Sequence, residues 1–139
     1  MNNVLRIILS FILAISWLKC SKSTNEFENM HLYYLSPDVM TQFDVNCKGG
    51  IFRHYNLLDD TLIQDKRKIQ KIYKKIQELD TTKDDYTVDV RIYSYIEYTD
   101  DNRAKDTLCF DKFGNIIFNG EKMKKNDKLF NLVKDIVWK

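Results

Sequence analysis

The side chains that could do chemistry in this chain are few, and their spacing says little for a reaction. There are two histidines and three cysteines. Neither His31 nor His54 has a second ligand two to four residues away, the spacing a zinc site uses, so no metal is expected. Cys47 and His54 could be paired as nucleophile and base, but no flanking signature accompanies them, and a core or bridged cysteine is the expected state. Four glycines in the whole chain leave no phosphate-cradling loop. Asp100, Asp101, Asn102 and Asp106 bring oxygen ligands to one turn without the D-x-D-x-D-G spacing and closing glutamate of a calcium loop, and read as a solvated hairpin tip. No cofactor is expected. A carboxylate pair for glycoside hydrolysis need not be close in sequence, which keeps a small hydrolase as one alternative.

One constellation rises above this background. Asp89, Arg91, Tyr93, Tyr95 and Glu97 alternate with Val88, Val90, Ile92 and Ile96, so an extended chain would place the first set on an outward face. Tyrosine and arginine are enriched at interface hot spots. From Asp84 to Asp111 there are eight acidic residues against Arg91, Arg103 and Lys105, which favours a cationic partner. The plainer account is an exposed sheet face stabilised by cross-strand pairs, where tyrosine is a good strand former.

The cysteines bear on location. Arg6 and the apolar run from Ile7 to Leu18 read as a cleavable export signal, since 12 residues fall short of the roughly 20 that cross a bilayer. Ala14-Ile15-Ser16 offers one cleavage site. Cys20, just after the apolar run, resembles the lipid-acceptor cysteine of bacterial lipoproteins, although Lys19 stands where that pattern has a small residue. The resemblance implies a lipid anchor in the envelope. Cys47 and Cys109 are then left as a pair, either bridged in an oxidising compartment or buried as two small thiols on strands.

Residues 1–24 hold three basic residues and no acids, so the remainder carries 19 basic against 20 acidic side chains, a net of −1. A nearly neutral domain lacks the footprint of a nucleic-acid binder. A hydrophobic fraction of 44% is too high for a disordered chain.

These residues need elements to hold them. The pattern divides the chain into a signal segment (1–20), a polar tether (21–29) and a single domain (30–139). Strands are expected over Met30 to Leu35 and Val39 to Cys47, the latter with Val39, Thr41, Phe43, Val45 and Cys47 on one face. Ile51 to Leu58 reads as a short helix at most. Ile69, Ile72, Tyr73, Ile76 and Leu79 make an apolar stripe on a helix from about Lys66 to Leu79, capped by Asp65, with basic residues opposite. Tyr86 to Tyr98 is the longest expected strand, followed by strands over Lys105 to Asp111 and Ile116 to Phe118. Asn119-Gly120 is a strong turn signal. A last helix runs from about Asp127 to Val137 with Asn126 as its cap.

The order ββ(α)αβββα predicts an α+β fold, an antiparallel sheet of about five strands with one face covered by two amphipathic helices. Functionally the expectation is an exported, non-catalytic protein-binding module in the periplasm or envelope, such as an inhibitor or an immunity protein. The alternatives are an accessory subunit of an envelope complex and the small hydrolase. Membrane contact is expected only through Cys20.

Overall fold

The computed structural model describes residues 26–139. The expected signal segment, most of the tether and Cys20 lie outside the described residues. The expected α+β class is observed. Six antiparallel strands form one sheet in the order β2-β1-β3-β4-β5-β6. They are β1 (Phe27–Tyr34), β2 (Asp59–Ile63), β3 (Ile92–Tyr98), β4 (Asp106–Phe110), β5 (Ile116–Phe118) and β6 (Glu121–Met123). Two helices, α1 (Lys66–Ile76) and α2 (Asp127–Val137), pack on one face, and a 3-10 helix (Gly50–Leu57) lies between β1 and β2.

The helix-covered face is the main core. Met30, Leu32, Ile92, Ile96, Leu108, Phe110 and Ile116 come from the sheet, and Ile69, Ile72, Ile76, Leu129, Val133 and Val137 from the helices. Each helix starts where its cap stands. Asp65 accepts from the Arg67 amide at 3.0 Å, and Asn126 from the Leu129 amide at 3.0 Å, each satisfying a donor with no partner inside its helix. The helix expected to reach Leu79 ends at Ile76, but the chain continues as a tight turn and Leu79 still packs on the core. Asn119 and Gly120 take φ of 48° and 86° and close the β5–β6 hairpin, as the backbone of so short a turn requires.

Three expectations are corrected. The segment from Val39 to Cys47 is irregular, because it lies over the second face of the sheet rather than along an edge with a free ladder. Of its alternating set only Val45 is buried, and Phe43 is 79% exposed. The sheet has six strands, not five, because Val39–Cys47 drops out while two unexpected edge strands join: β2 opens on two aspartates and buries only Ile63, and β6 is three residues long and buries only Met123, neither showing a clear alternation. The strand expected from Tyr86 starts at Ile92.

The third correction moves the expected site. At Arg91 the chain bends, its amide donating to Phe110 O at 2.7 Å and its carbonyl accepting from the Leu35 amide at 2.9 Å. Just before it, the Val90 amide donates to Val45 O at 2.7 Å. The bend breaks the alternation, so Val88 and Val90 join a second, smaller core with Leu35, Val45, Ile51 and Cys109, against which Tyr93 and Ile117 also pack. Ile92 stays with the helices. Cys47 and Cys109 are disulfide-bonded with their Cα atoms 5.9 Å apart, which fastens the irregular segment to the middle of the sheet.

Candidate functional site

The bend at Arg91 separates the five residues that sequence alternation had put together. Arg91 is 6% exposed and lies at the wall of a cleft of about 380 Å³ with Asp89, Lys112 and the 37–44 segment. Its Nη2 donates to Asp89 Oδ2 at 2.5 Å and its Nη1 to Thr41 Oγ1 at 3.5 Å, while Asp89 Oδ1 accepts from the Val45 amide at 2.9 Å. This pair braces the irregular segment. Arg91 is therefore no part of an outward face, and Asp89 is spent holding it.

Tyr93, Tyr95 and Glu97 do share the second face, and strand pairing brings them companions that the sequence reading had not singled out. His31 pairs with Tyr95 and Leu62, Tyr33 with Tyr93 and Asp60, and Tyr95 with Thr107. Cross-strand partners point the same way, so these residues form one surface. The imidazole of His31 stacks on Tyr95 at 4.6 Å between centroids, and Tyr33 lies 6.3 Å from Tyr95 and 6.5 Å from Tyr93. Phe52, from the 3-10 helix, closes one end by meeting Tyr33 at 4.9 Å and Tyr93 at 5.5 Å. The signal for Tyr33 and His31 was present in Met30-His31-Leu32-Tyr33, where aliphatic and ring side chains alternate. Phe52 and Leu62 had no such signal, because the 3-10 helix and the edge strand lack a clean period.

The electrostatics are settled within the surface. Lys105 Nζ donates to Glu97 Oε1 at 2.6 Å and lies 4.5 Å from the centroid of the Tyr95 ring. His31 Nε2 is 3.2 Å from the other Glu97 oxygen. The hydrogen bond from Lys105, with a further one from His31, holds the Glu97 carboxyl below its ordinary value. Burial first, then the Tyr33 hydroxyl and the Glu97 charge, push Tyr95 up to about 12. At neutral pH Tyr95 is thus a neutral hydroxyl and Glu97 an anion already engaged. That arrangement offers ring faces and hydrogen bonds around an engaged carboxylate.

The other sites considered from sequence fall apart. Cys47 is bonded to Cys109 and cannot serve His54 as a thiolate. Asp106 turns inward, accepting from the Tyr98 hydroxyl and, at 2.8 Å, from Asn119 Nδ2, while Asp100 closes a local turn by accepting from the Asn102 amide at 3.0 Å. Among the described residues no three acidic, histidine or cysteine side chains gather as a metal site. No protein-family model, curated protein or solved structure matches the chain.

Proposed function

We propose that this chain is a non-catalytic protein-binding module, and that its contact surface is the tyrosine face of the sheet. One observation carries the reading. Tyr33, Tyr95 and His31 lie on the second face of the sheet, away from the helices, with Tyr93 at the border of the second core, and all four remain part-exposed. Such rings present large amphipathic area at small entropic cost, and here they are held in place by one another. The partner's contact region is apolar or cationic. Ring faces accept guanidinium groups, and Asp59 and Asp60 on the neighbouring edge strand are exposed. The module acts by masking its partner, as an inhibitor or an immunity protein does. Export of the chain is part of the proposal, supported by the Cys47–Cys109 bridge, a bond that persists in oxidising compartments.

The test places a photo-crosslinking residue at Tyr95 in the cells that make the protein, and purifies what is captured for titration. Tyr95→Ala should then weaken binding by about 2 kcal/mol or more, with Lys71→Ala close to neutral. A captured protein whose affinity is the same for the parent and for Tyr95→Ala and Tyr33→Ala variants would remove the tyrosine face from the proposal.

A further inference from the structure

The helix layer on the opposite face carries a charge asymmetry that the fold itself does not require. From Asp65 to Glu78 there are six basic residues against two acidic ones, a net of +4 within a stretch, 25–139, of net −1, so the rest of that stretch nets −5. Lys66, Arg67, Lys68, Lys71 and Lys74 are all exposed. Three of them, Lys66, Arg67 and Lys68, occupy the first turn of α1, where no acidic residue stands. Cations there oppose the partial positive charge of a helix N-terminus, and each costs stability. The capping Asp65, 3.8 Å from the Arg67 side chain, offsets one of the three, and no acidic residue of that turn stands against Lys66 or Lys68. Beside these cations runs a groove of about 170 Å³ between α1 and α2, with Ile72, Leu132 and Ile136 as its apolar floor and Lys68 and Lys71 as its rim.

We infer that this helix face docks on an anionic lipid bilayer. The groove and its rim fit a bilayer surface in both chemistries at once. Lysine stems can lie along apolar surface while their ammonium heads meet lipid phosphates. A nucleic acid would satisfy the charge and leave the apolar floor without a purpose, and a groove reserved for an acidic protein would leave the chain unbound to vesicles. The α2 side of the groove adds little charge of its own, since Lys128 and Lys134 are offset by Asp127 and Asp135. Attraction therefore comes from α1, and the apolar contact from both helices. Because the tyrosine face lies on the other side of the sheet, docking through the helices leaves that face turned away from the membrane. The inference stands independently of the proposed function.

The experiment measures partition of the full disulfide-bonded chain onto vesicles of phosphatidylglycerol and phosphatidylcholine, and onto phosphatidylcholine alone. Each basic residue near an anionic surface contributes about fivefold in affinity, so Lys68→Gln with Lys71→Gln and Lys74→Gln should lower binding about a hundredfold. Binding should also fall as salt is raised, and Tyr95→Ala should leave it unchanged. A matched control, Lys122→Gln with Lys124→Gln and Lys125→Gln, removes the same charge from the far edge of the sheet and should bind as the parent does. Circular dichroism of both triple variants verifies that the fold is kept. Equal losses in the two triple variants would overturn the inference, as would parental binding by the helix variant. Competition by duplex DNA at equal phosphate concentration would overturn it too, by showing a general polyanion site.

Discussion

One face of the sheet is closed by two helices that repeat an apolar residue every three or four positions. The other is closed only in part, by an irregular chain held with one disulfide and one half-buried ion pair. The first uses many small contributions from periodic elements, so no single residue decides it. The second concentrates its support at Cys47–Cys109 and at Arg91–Asp89, and leaves Met40 and Phe43 at 94% and 79% exposure on the strap itself. A surface closed this way can stay open beside its fastening, and the tyrosine face lies there.

The sharpest way to break this contrast is to remove the fastening. Replacing Cys47 and Cys109 together by serine should cost about 4 kcal/mol, the chain-entropy value for a loop of this length, measured by urea unfolding. The exchange of the Val90 amide, which donates to Val45 O, should then run ahead of the amides of α2. If the two still exchange together, the faces open as one unit and the contrast is false. On the helix side, Ile69→Ala should cost about 3 kcal/mol through the cavity it leaves under α1. That variant should lower protection across the whole sheet without singling out Val90. A local loss confined to α1 would show that the helix layer is no more cooperative than the strap.

The smallest effect is silent at neutral pH. Tyr95 has its folded value raised to about 12, so its neutral form is favoured by the fold. Its contribution to stability is complete below pH 10 and is lost as pH rises from there through about 12. Phenolate absorbance should show Tyr95 titrating after the exposed tyrosines, and a difference spectrum against Tyr95→Phe identifies it. Titration of Tyr95 near 10 in the folded protein would mean that the tyrosine cluster is looser than its ring distances imply.

The periodic half of this molecule was readable and the other half was not, for a physical reason. The α2 boundaries, both helix caps and the Asn119-Gly120 turn follow from local rules that act within a few residues. The assignment of Arg91 to the tyrosine face failed because alternation is blind to a single bend. Val88, Val90 and Ile92 look continuous, yet the first two and the last belong to different cores. What decides the matter is the Val45 carbonyl, which receives the Val90 amide from 45 residues away. The candidate site was half legible for the same reason. Tyr93, Tyr95 and Glu97 sit on one strand, whereas His31, Tyr33 and Phe52 reach them only through pairing and packing across the chain.

The strand order also sets a timetable. β1 is the first of the described strands to leave a ribosome, yet its place is between β2 and β3, and it pairs with Tyr98 at one end. It has no complete seat until the chain beyond residue 98 has emerged. Cys47 waits longer, for a partner 62 residues downstream. Contacts so distant along the chain form late, after the loops that join them have been closed against their entropy. More than two thirds of the polypeptide must therefore be threaded before the sheet can lock. A chain built in this order stays pliable while it is being translated, and becomes rigid only once its distant strands have emerged.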